Sequence, residues 1–115
     1  MPRFLILLLV AASMAPAFGK DPDCSGTENW PTRSALVALT NAGITGKIDW
    51  AKTKTTRIAS EKIGKDLYRQ VHRVSYAQVS GKVVEAITVN EVSSEECSMS
   101  GVEVFVVSKH FGEEE

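Results

Sequence analysis

Hydrophobic and polar residues change their spacing along the chain, and each change marks a different element. An unbroken apolar run, Phe4 to Ala12, follows the positive charge of Arg3. Between Ser34 and Ala42, apolar residues recur at helical spacing, which predicts a helix of about three turns. Pro31 before it and Gly43 behind it are typical helix boundaries. The predicted buried stripe consists of Ala35, Leu36, Leu39 and Ala42.

Four later stretches have the residue types of β-strands. Residues 53–63 are β-branched with charges between them, as in an edge strand, and a helix is the alternative for their second half. Residues 67–78 and 82–90 flank Ser80-Gly81, which is a hairpin signal. Residues 102–107 are almost continuously apolar, which predicts a central strand buried on both faces. The sequence thus predicts an α+β fold: one N-terminal helix packed on a three- to four-stranded antiparallel sheet.

The strand at 67–78 has two faces of mixed character. One face would carry Tyr68, Gln70, His72, Val74 and Tyr76. The other would carry Leu67, Arg69, Val71, Arg73 and Ser75. Because neither face is cleanly apolar, the pattern leaves open which one is buried.

The first residues have the order of a secretory signal peptide: a positive charge, an apolar run and then small residues. We expect cleavage after Gly19, with Ala17 as the alternative. An uncleaved anchor helix is the other interpretation, but the run is shorter than the roughly 20 residues of a membrane span. The domain prediction is therefore a signal peptide over 1–19, a single domain over 20–112 and an acidic tail over 113–115.

Cys24 and Cys97 are the two cysteines of the chain. In an oxidising compartment, two thiols in one small chain usually pair, so we predict a disulfide that closes most of the domain. A reactive thiol and a metal site are the alternatives, although neither cysteine has CxxC spacing or a neighbouring His. Because Cys24 does not directly follow the expected cleavage site, we expect no lipid anchor.

The charge distribution bears on the class of partner. Without Arg3 the chain has 12 basic and 14 acidic residues, which argues against a nucleic-acid-binding protein. Basic residues dominate from Lys47 to Lys82, and acidic residues dominate from Val83 onward. Charge complementarity between neighbouring strands explains this division. A basic face directed at an anionic partner is the alternative.

No motif of enzyme or cofactor chemistry stands out. The two histidines, His72 and His110, have no recognisable triad around them, and GxSxG, HExxH and P-loop patterns are missing. The densest set of metal-ligand types is Glu95-Glu96-Cys97, which we interpret as an exposed acidic loop. We therefore assign no catalytic residue, metal ligand or cofactor.

Aromatic and arginine residues are the best candidates for a binding surface, because Trp, Tyr and Arg dominate interface hot spots. Trp30 and Trp50 flank the helix in sequence, and we expect both to contribute to the core, with one of them as an exposed binding anchor as the alternative. Four further candidates lie close together on the strand at 67–78, and a solvated strand face explains them nearly as well as a binding surface does. The candidate partner-binding residues are Trp30, Trp50, Tyr68, Arg69, His72 and Arg73.

Two stretches, Ile63-Gly64-Lys65-Asp66-Leu67-Tyr68-Arg69-Gln70-Val71 and Ser93-Ser94-Glu95-Glu96-Cys97-Ser98-Met99-Ser100-Gly101-Val102-Glu103-Val104, carry a resemblance. They resemble small exported proteins of unassigned role from pseudomonads and their relatives. The resemblance implies a Gram-negative periplasmic or secreted protein, and it implies that the disulfide belongs to the shared pattern. It implies no catalytic residues.

The sequence therefore favours an exported protein-binding module, for instance a periplasmic inhibitor or immunity-type protein. A secreted factor that acts on other cells or a host is the first alternative. A small enzyme with an unrecognised site is the second. The partner is expected to be another protein, with no nucleic acid and no membrane span after signal cleavage.

Overall fold

The computed structural model describes residues 21–107, and it contains one α-helix and a four-stranded sheet within that range. The predicted signal peptide and acidic tail lie outside the described residues. The elements are helix α1, Trp30–Asn41, followed by strands β1, Lys54–Gly64, β2, Leu67–Ala77, β3, Val83–Val92, and β4, Glu103–Val107. The strands lie side by side in chain order and are antiparallel throughout.

The helix forms where the apolar spacing predicts it, and its boundaries follow local rules. Pro31 occupies the first turn, where its missing N–H costs nothing. The helix ends at Asn41, and Gly43 beyond the cap has a φ of 76°, in the left-handed region that favours glycine. The N–H groups of Gly43 and Ile44 donate to the carbonyl oxygens of Thr40 and Leu39, both at 2.9 Å, and so close the last turn.

The prediction of an N-terminal helix is corrected by the structure, because α1 lies within the chain. Residues 21–29 precede it as an irregular segment that is held against the sheet. The side chains of Arg57 and Gln70 both donate to the Pro22 carbonyl oxygen, at 3.0 and 2.9 Å. The lead-in segment is thus part of the folded domain.

The predicted hairpin between β2 and β3 is confirmed. Gly81 has a φ of 99°, and the Gln78 N–H donates to the Lys82 carbonyl oxygen at 2.9 Å. The alternative of a helix in residues 57–63 is wrong, because β1 runs through them as an edge strand with an irregularity between Arg57 and Ala59. Its many charged side chains protect that edge from pairing with another chain.

The prediction of a buried central strand at 102–107 is wrong. β4 is the edge strand opposite β1, and among the described strands it pairs with β3. Phe105 and Val106 point to opposite faces of the sheet and are 55% and 43% exposed. A continuous apolar run therefore marks an exposed edge in this protein rather than a doubly covered strand.

The hydrophobic core lies between α1 and one face of the sheet. Ala35 and Leu39 pack on Val74, Tyr76 and Ala86, and all five are buried. The predicted stripe is thus right for Ala35 and Leu39. Leu36 is partly buried, whereas Ala42 is exposed because it follows the last helical residue.

A disulfide joins Cys24 to Cys97, which confirms the predicted pairing. The two Cα atoms are 5.8 Å apart, within the usual range for a disulfide. Cys24 is fully buried against Tyr68 and Val92, at the end of the sheet away from the α1 core. The disulfide therefore stabilises the lead-in segment against the sheet and forms the centre of a second small core.

Candidate functional site

The first candidate surface lies on α1 and includes Trp30, while Trp50 contacts one of its residues from outside the helix. The Trp30 indole N–H donates to the Ser100 carbonyl oxygen at 3.2 Å, while the residue remains 42% exposed. The Arg33 guanidinium lies 3.8 Å from the ring centroid of Trp50, which is a cation–π contact. The Arg33 Nε–H also donates to the Thr27 carbonyl oxygen at 3.0 Å. Contacts therefore hold both Trp30 and Arg33 in place.

A shallow apolar groove runs along this side of the helix. It has a volume of about 470 Å³ and is lined by Trp30, Arg33, Val37 and their neighbours on the helix. Val37 is 59% exposed, so it contributes little to the domain's own core. We call the set Trp30, Arg33 and Val37 the helix surface. It presents an aromatic ring, a cation and an aliphatic side chain in fixed positions.

The second candidate surface is the sheet face that points away from α1, which we call the outer face. Arg69 and Arg73 of β2 lie on it, and each pairs with an acid of β3. Arg73 Nη2 is 2.6 Å from Glu85 Oε1, and Arg69 Nη2 is 3.7 Å from Glu91 Oε2. The predicted charge complementarity between neighbouring strands is thus present on this face.

The outer face also carries an unusual number of apolar side chains. The residues that share it on the three strands β2 to β4 include Val71, Ile87, Val89, Phe105 and Val107. Phe105 is exposed and the other four are partly buried, so residues 21–107 cover this set only in part. In an antiparallel sheet with one wet face, that face is normally polar. We call these five residues the apolar patch, and such patches mark interaction sites.

The face of the sheet that points towards α1, the inner face, shows the opposite anomaly. Below the core it carries Gln70, His72, Thr88 and Asn90, which are all buried. Gln70 lies opposite Asn90 across the two strands, and His72 lies opposite Thr88. We call these four residues the polar row.

The hydrogen bonds of the polar row are only partly satisfied. Gln70 Nε2 donates to the Pro22 carbonyl oxygen and Asn90 Nδ2 to the Cys97 carbonyl oxygen, at 2.9 and 2.8 Å. These contacts fix the two amides, whose oxygens have no hydrogen-bond partner within the described part of the chain. Both ring nitrogens of His72 and the Thr88 hydroxyl also lack one there.

The structure therefore separates the six predicted partner-binding residues into three places. Trp30 belongs to the helix surface and Trp50 contacts Arg33 beside it, whereas Arg69 and Arg73 lie on the outer face. The grouping of Tyr68 and His72 with these arginines on one surface is corrected, because both side chains point inward and are buried. The reason is the alternation of side chains along β2, which puts neighbours in sequence on opposite faces.

Burial and charge both act on the polar row and on the segment beside it. Burial lowers the pKa of His72, and the positive charge of Arg57 lowers it further, while Asp23 opposes the shift. The imidazole is therefore neutral at pH 7. The Ser25 side chain and backbone N–H donate to Asp23 Oδ1, and these hydrogen bonds lower the pKa of the Asp23 carboxyl.

We expect the free energy of unfolding to fall as the pH drops below 6.5, the ordinary pKa of His72. The unfolded chain binds a proton there at a higher pH than the folded chain, so protons favour unfolding. The stabilising contribution is complete above 6.5 and is lost as the pH falls towards the lower pKa of the folded state. The Asp23 effect belongs to a separate range, below 3.8.

Urea unfolding between about pH 7.5 and pH 5 tests this expectation, with His72→Leu as the comparison. Every other titratable group, Asp23 included, is common to the two proteins. The pH slope should be smaller in the variant. Equal slopes would show that His72 has the same pKa in the folded and unfolded chains.

Metal-ligand types and the surroundings of His72 can be compared directly in the described residues. Among residues 21–107, no three side chains of His, Cys, Asp or Glu come together in a way that could hold a metal ion. His72 has no carboxylate within hydrogen-bonding distance there, and its two nitrogens are buried. The other histidine, His110, lies outside the described residues. The same range contains no helix long and apolar enough to cross a membrane.

The chain matches no protein-family model, no curated protein and no solved structure. The interpretation of the site therefore depends on its own geometry.

Sequence reasoning missed Arg33, Val37 and the apolar patch as surface features. A signal for Val37 was present, since it falls outside the predicted buried stripe of the helix. For the apolar patch the signal was weaker. Predicting the apolar patch would have required knowing that Gln70 and His72, rather than Val71, point into the domain.

Proposed function

We propose that this chain is an exported protein, periplasmic or secreted, whose function is to bind another protein through the helix surface. A periplasmic inhibitor or immunity-type protein is the class of function that we favour. The disulfide between Cys24 and Cys97 is compatible with export, since such bonds persist in oxidising compartments.

The observation that carries the proposal is the position of Trp30. Its one polar atom is already satisfied by the Ser100 carbonyl oxygen, yet 42% of the residue remains exposed. The exposed ring does not serve the domain's own core. Tryptophan side chains that are anchored and exposed in this way are typical centres of protein interfaces. Because the ring is held, little conformational entropy is lost when a partner binds.

The neighbouring side chains indicate what the partner must offer. Val37 and the groove favour an apolar side chain, and Arg33 favours a carboxylate at the edge of the contact. Arg33 is itself oriented by Trp50 and by the Thr27 carbonyl oxygen. We therefore expect a protein segment with an apolar residue beside an acidic one.

Affinity capture from periplasm and medium tests the proposal. The immobilised full chain should capture a partner, and Trp30→Ala should weaken that binding by about 10-fold or more, as expected for a hot-spot residue. Val79→Ala is the control, because Val79 is also an exposed hydrophobic residue, at 61%, but lies at the β2–β3 hairpin. A partner that binds wild type and Trp30→Ala equally well would refute the role of the helix surface.

Cell fractionation separates the two exported locations. Retention of the chain in the periplasm supports an inhibitor or immunity-type role. Recovery from the culture medium supports a secreted factor that acts on other cells or on a host.

A further inference from the structure

We propose that the outer face binds a second copy of this chain, so that two sheets pack face to face in a symmetric dimer. This inference is independent of the helix surface and of the function proposed for it. It starts from the polarity of the two faces: the polar row is fully buried, whereas the apolar patch is only partly covered and its Phe105 is 55% exposed. A second sheet over the patch would give its side chains the burial that they lack in the monomer.

The charges on the outer face select one symmetric arrangement. Basic side chains lie on β2 and acidic side chains on β3, and these are the two middle strands of the sheet. A two-fold axis parallel to the strands, passing between β2 and β3, lays β2 of one copy over β3 of the other. Each β2 residue of one copy then faces, on β3 of the other copy, the residue that is its cross-strand partner within the sheet. Arg69 would lie over Glu91 of the second copy, and the same contact occurs twice.

The other two-fold axis, which is parallel to the plane of the sheet but perpendicular to the strands, brings like charges of the two copies together. It lays β2 over β2, so that Arg69 of one copy approaches Arg73 of the other. Like charges in such contacts are costly. The distribution of charge is therefore complementary to itself in one orientation and repulsive in the other.

The shapes of the side chains agree with the parallel axis. Val71 and Val89 form one cross-strand pair, so Val71 of each copy would lie over Val89 of the other. At the margins, β4 would lie over β1. Phe105 would then lie above the row that contains Thr56, beside Ala59, where small side chains leave room for the ring. Stacked sheets are about 10 Å apart and their strands are within about 30° of each other, so these pairs remain within reach.

The size of the face allows a small dimer interface. Four strands at their usual spacing, with their usual rise per residue, form a face of roughly 19 by 30 Å. The product, about 570 Å², is below the roughly 800 Å² that each partner contributes to a standard interface and corresponds to a small one. Arg69 would lie between Glu91 of its own copy and Glu91 of the other, whereas Arg73 would lie over Ile87 of the other copy.

Two single variants test the register of the dimer. Arg69→Glu leaves acidic residues at both position 69 and position 91. Glu91→Arg leaves basic residues at both positions. Each variant alone should be monomeric in analytical ultracentrifugation of the full, disulfide-bonded chain. A mixture of the two should form a heterodimer, because every repulsive contact becomes attractive between unlike copies. The intramolecular pair is broken in both variants, so it cannot account for this recovery.

A third variant tests the apolar patch. Val89→Glu should raise the dimer dissociation constant by roughly 100-fold, because it would bury an unpaired carboxylate. Val79→Glu adds the same charge at the hairpin and should leave the constant unchanged. A wild-type chain that stays monomeric over the whole concentration series, or a mixture that shows no heterodimer, would overturn the proposal. So would a dimer that Val89→Glu leaves intact. None of these outcomes bears on capture of a partner by Trp30.

Discussion

Replacing Cys24 and Cys97 together by Ser is expected to lower the free energy of unfolding by about 4 kcal/mol. The two residues are 73 positions apart, so the disulfide closes a loop that includes the helix and the first three strands. In the chain-entropy model, closing a loop of this length restricts the unfolded chain strongly. The total stability of a small domain is typically about 5 to 15 kcal/mol, so this loss is a large share of it.

Urea unfolding followed by circular dichroism measures the difference. Wild-type chain in the presence of reductant is the control, because it loses the bond without any change of residue. It should show nearly the same loss as the double variant. A loss below about 1 kcal/mol in both samples would contradict the claim that the disulfide stabilises the domain by restricting the unfolded chain.

The second large effect is expected at the contact between the helix and the sheet. Leu39→Ala should lower the free energy of unfolding by about 3 kcal/mol, because Leu39 is buried in the core with Val74 and Tyr76. The truncation removes buried apolar surface and leaves a cavity that the helix can fill only in part. The same substitution should also reduce partner binding, since α1 carries the helix surface.

Val37→Ala is the matched control for stability, because Val37 lies on the same helix and is 59% exposed. It should change the free energy of unfolding by less than about 0.5 kcal/mol. If the two substitutions have equal effects, α1 is not packed on the sheet through Leu39.

Local signals were sufficient to predict the elements of this fold. The apolar spacing of α1, the left-handed glycine at its end and the Ser80-Gly81 turn are each decided by neighbouring residues. The pairing of Cys24 with Cys97 could be predicted because the chain has two cysteines and the leader resembles a signal peptide. The structure confirms the helix, the antiparallel sheet and the disulfide.

The position of strands within the sheet could not be predicted from local pattern. Residues 102–107 have the composition of a buried strand, yet β4 is at an edge. Hydrophobicity alone does not distinguish a strand that its own chain buries from a strand that is exposed in the single chain. The exposure of Phe105 in the monomer is understandable if the outer face is covered by a second copy.

The candidate site was harder to predict than the fold, because it depends on which face of β2 is buried. Both faces mix polar and apolar residues, and the structure buries the one with Gln70 and His72. That choice is decided by distant groups: the Pro22 carbonyl oxygen accepts from Gln70, and α1 covers Val74 and Tyr76. The anchoring of Trp30 by the Ser100 carbonyl oxygen, seventy residues away in sequence, is equally invisible to sequence reasoning.

Mass spectrometry of the natural product, isolated without reductant from the exporting cell, tests the central claim most directly. If the chain is an exported domain held by one disulfide, the mature protein begins at Lys20, and its two cysteines resist alkylation until they are reduced. A folded product that keeps Met1, or one in which Cys24 and Cys97 are alkylated without reduction, would contradict the account.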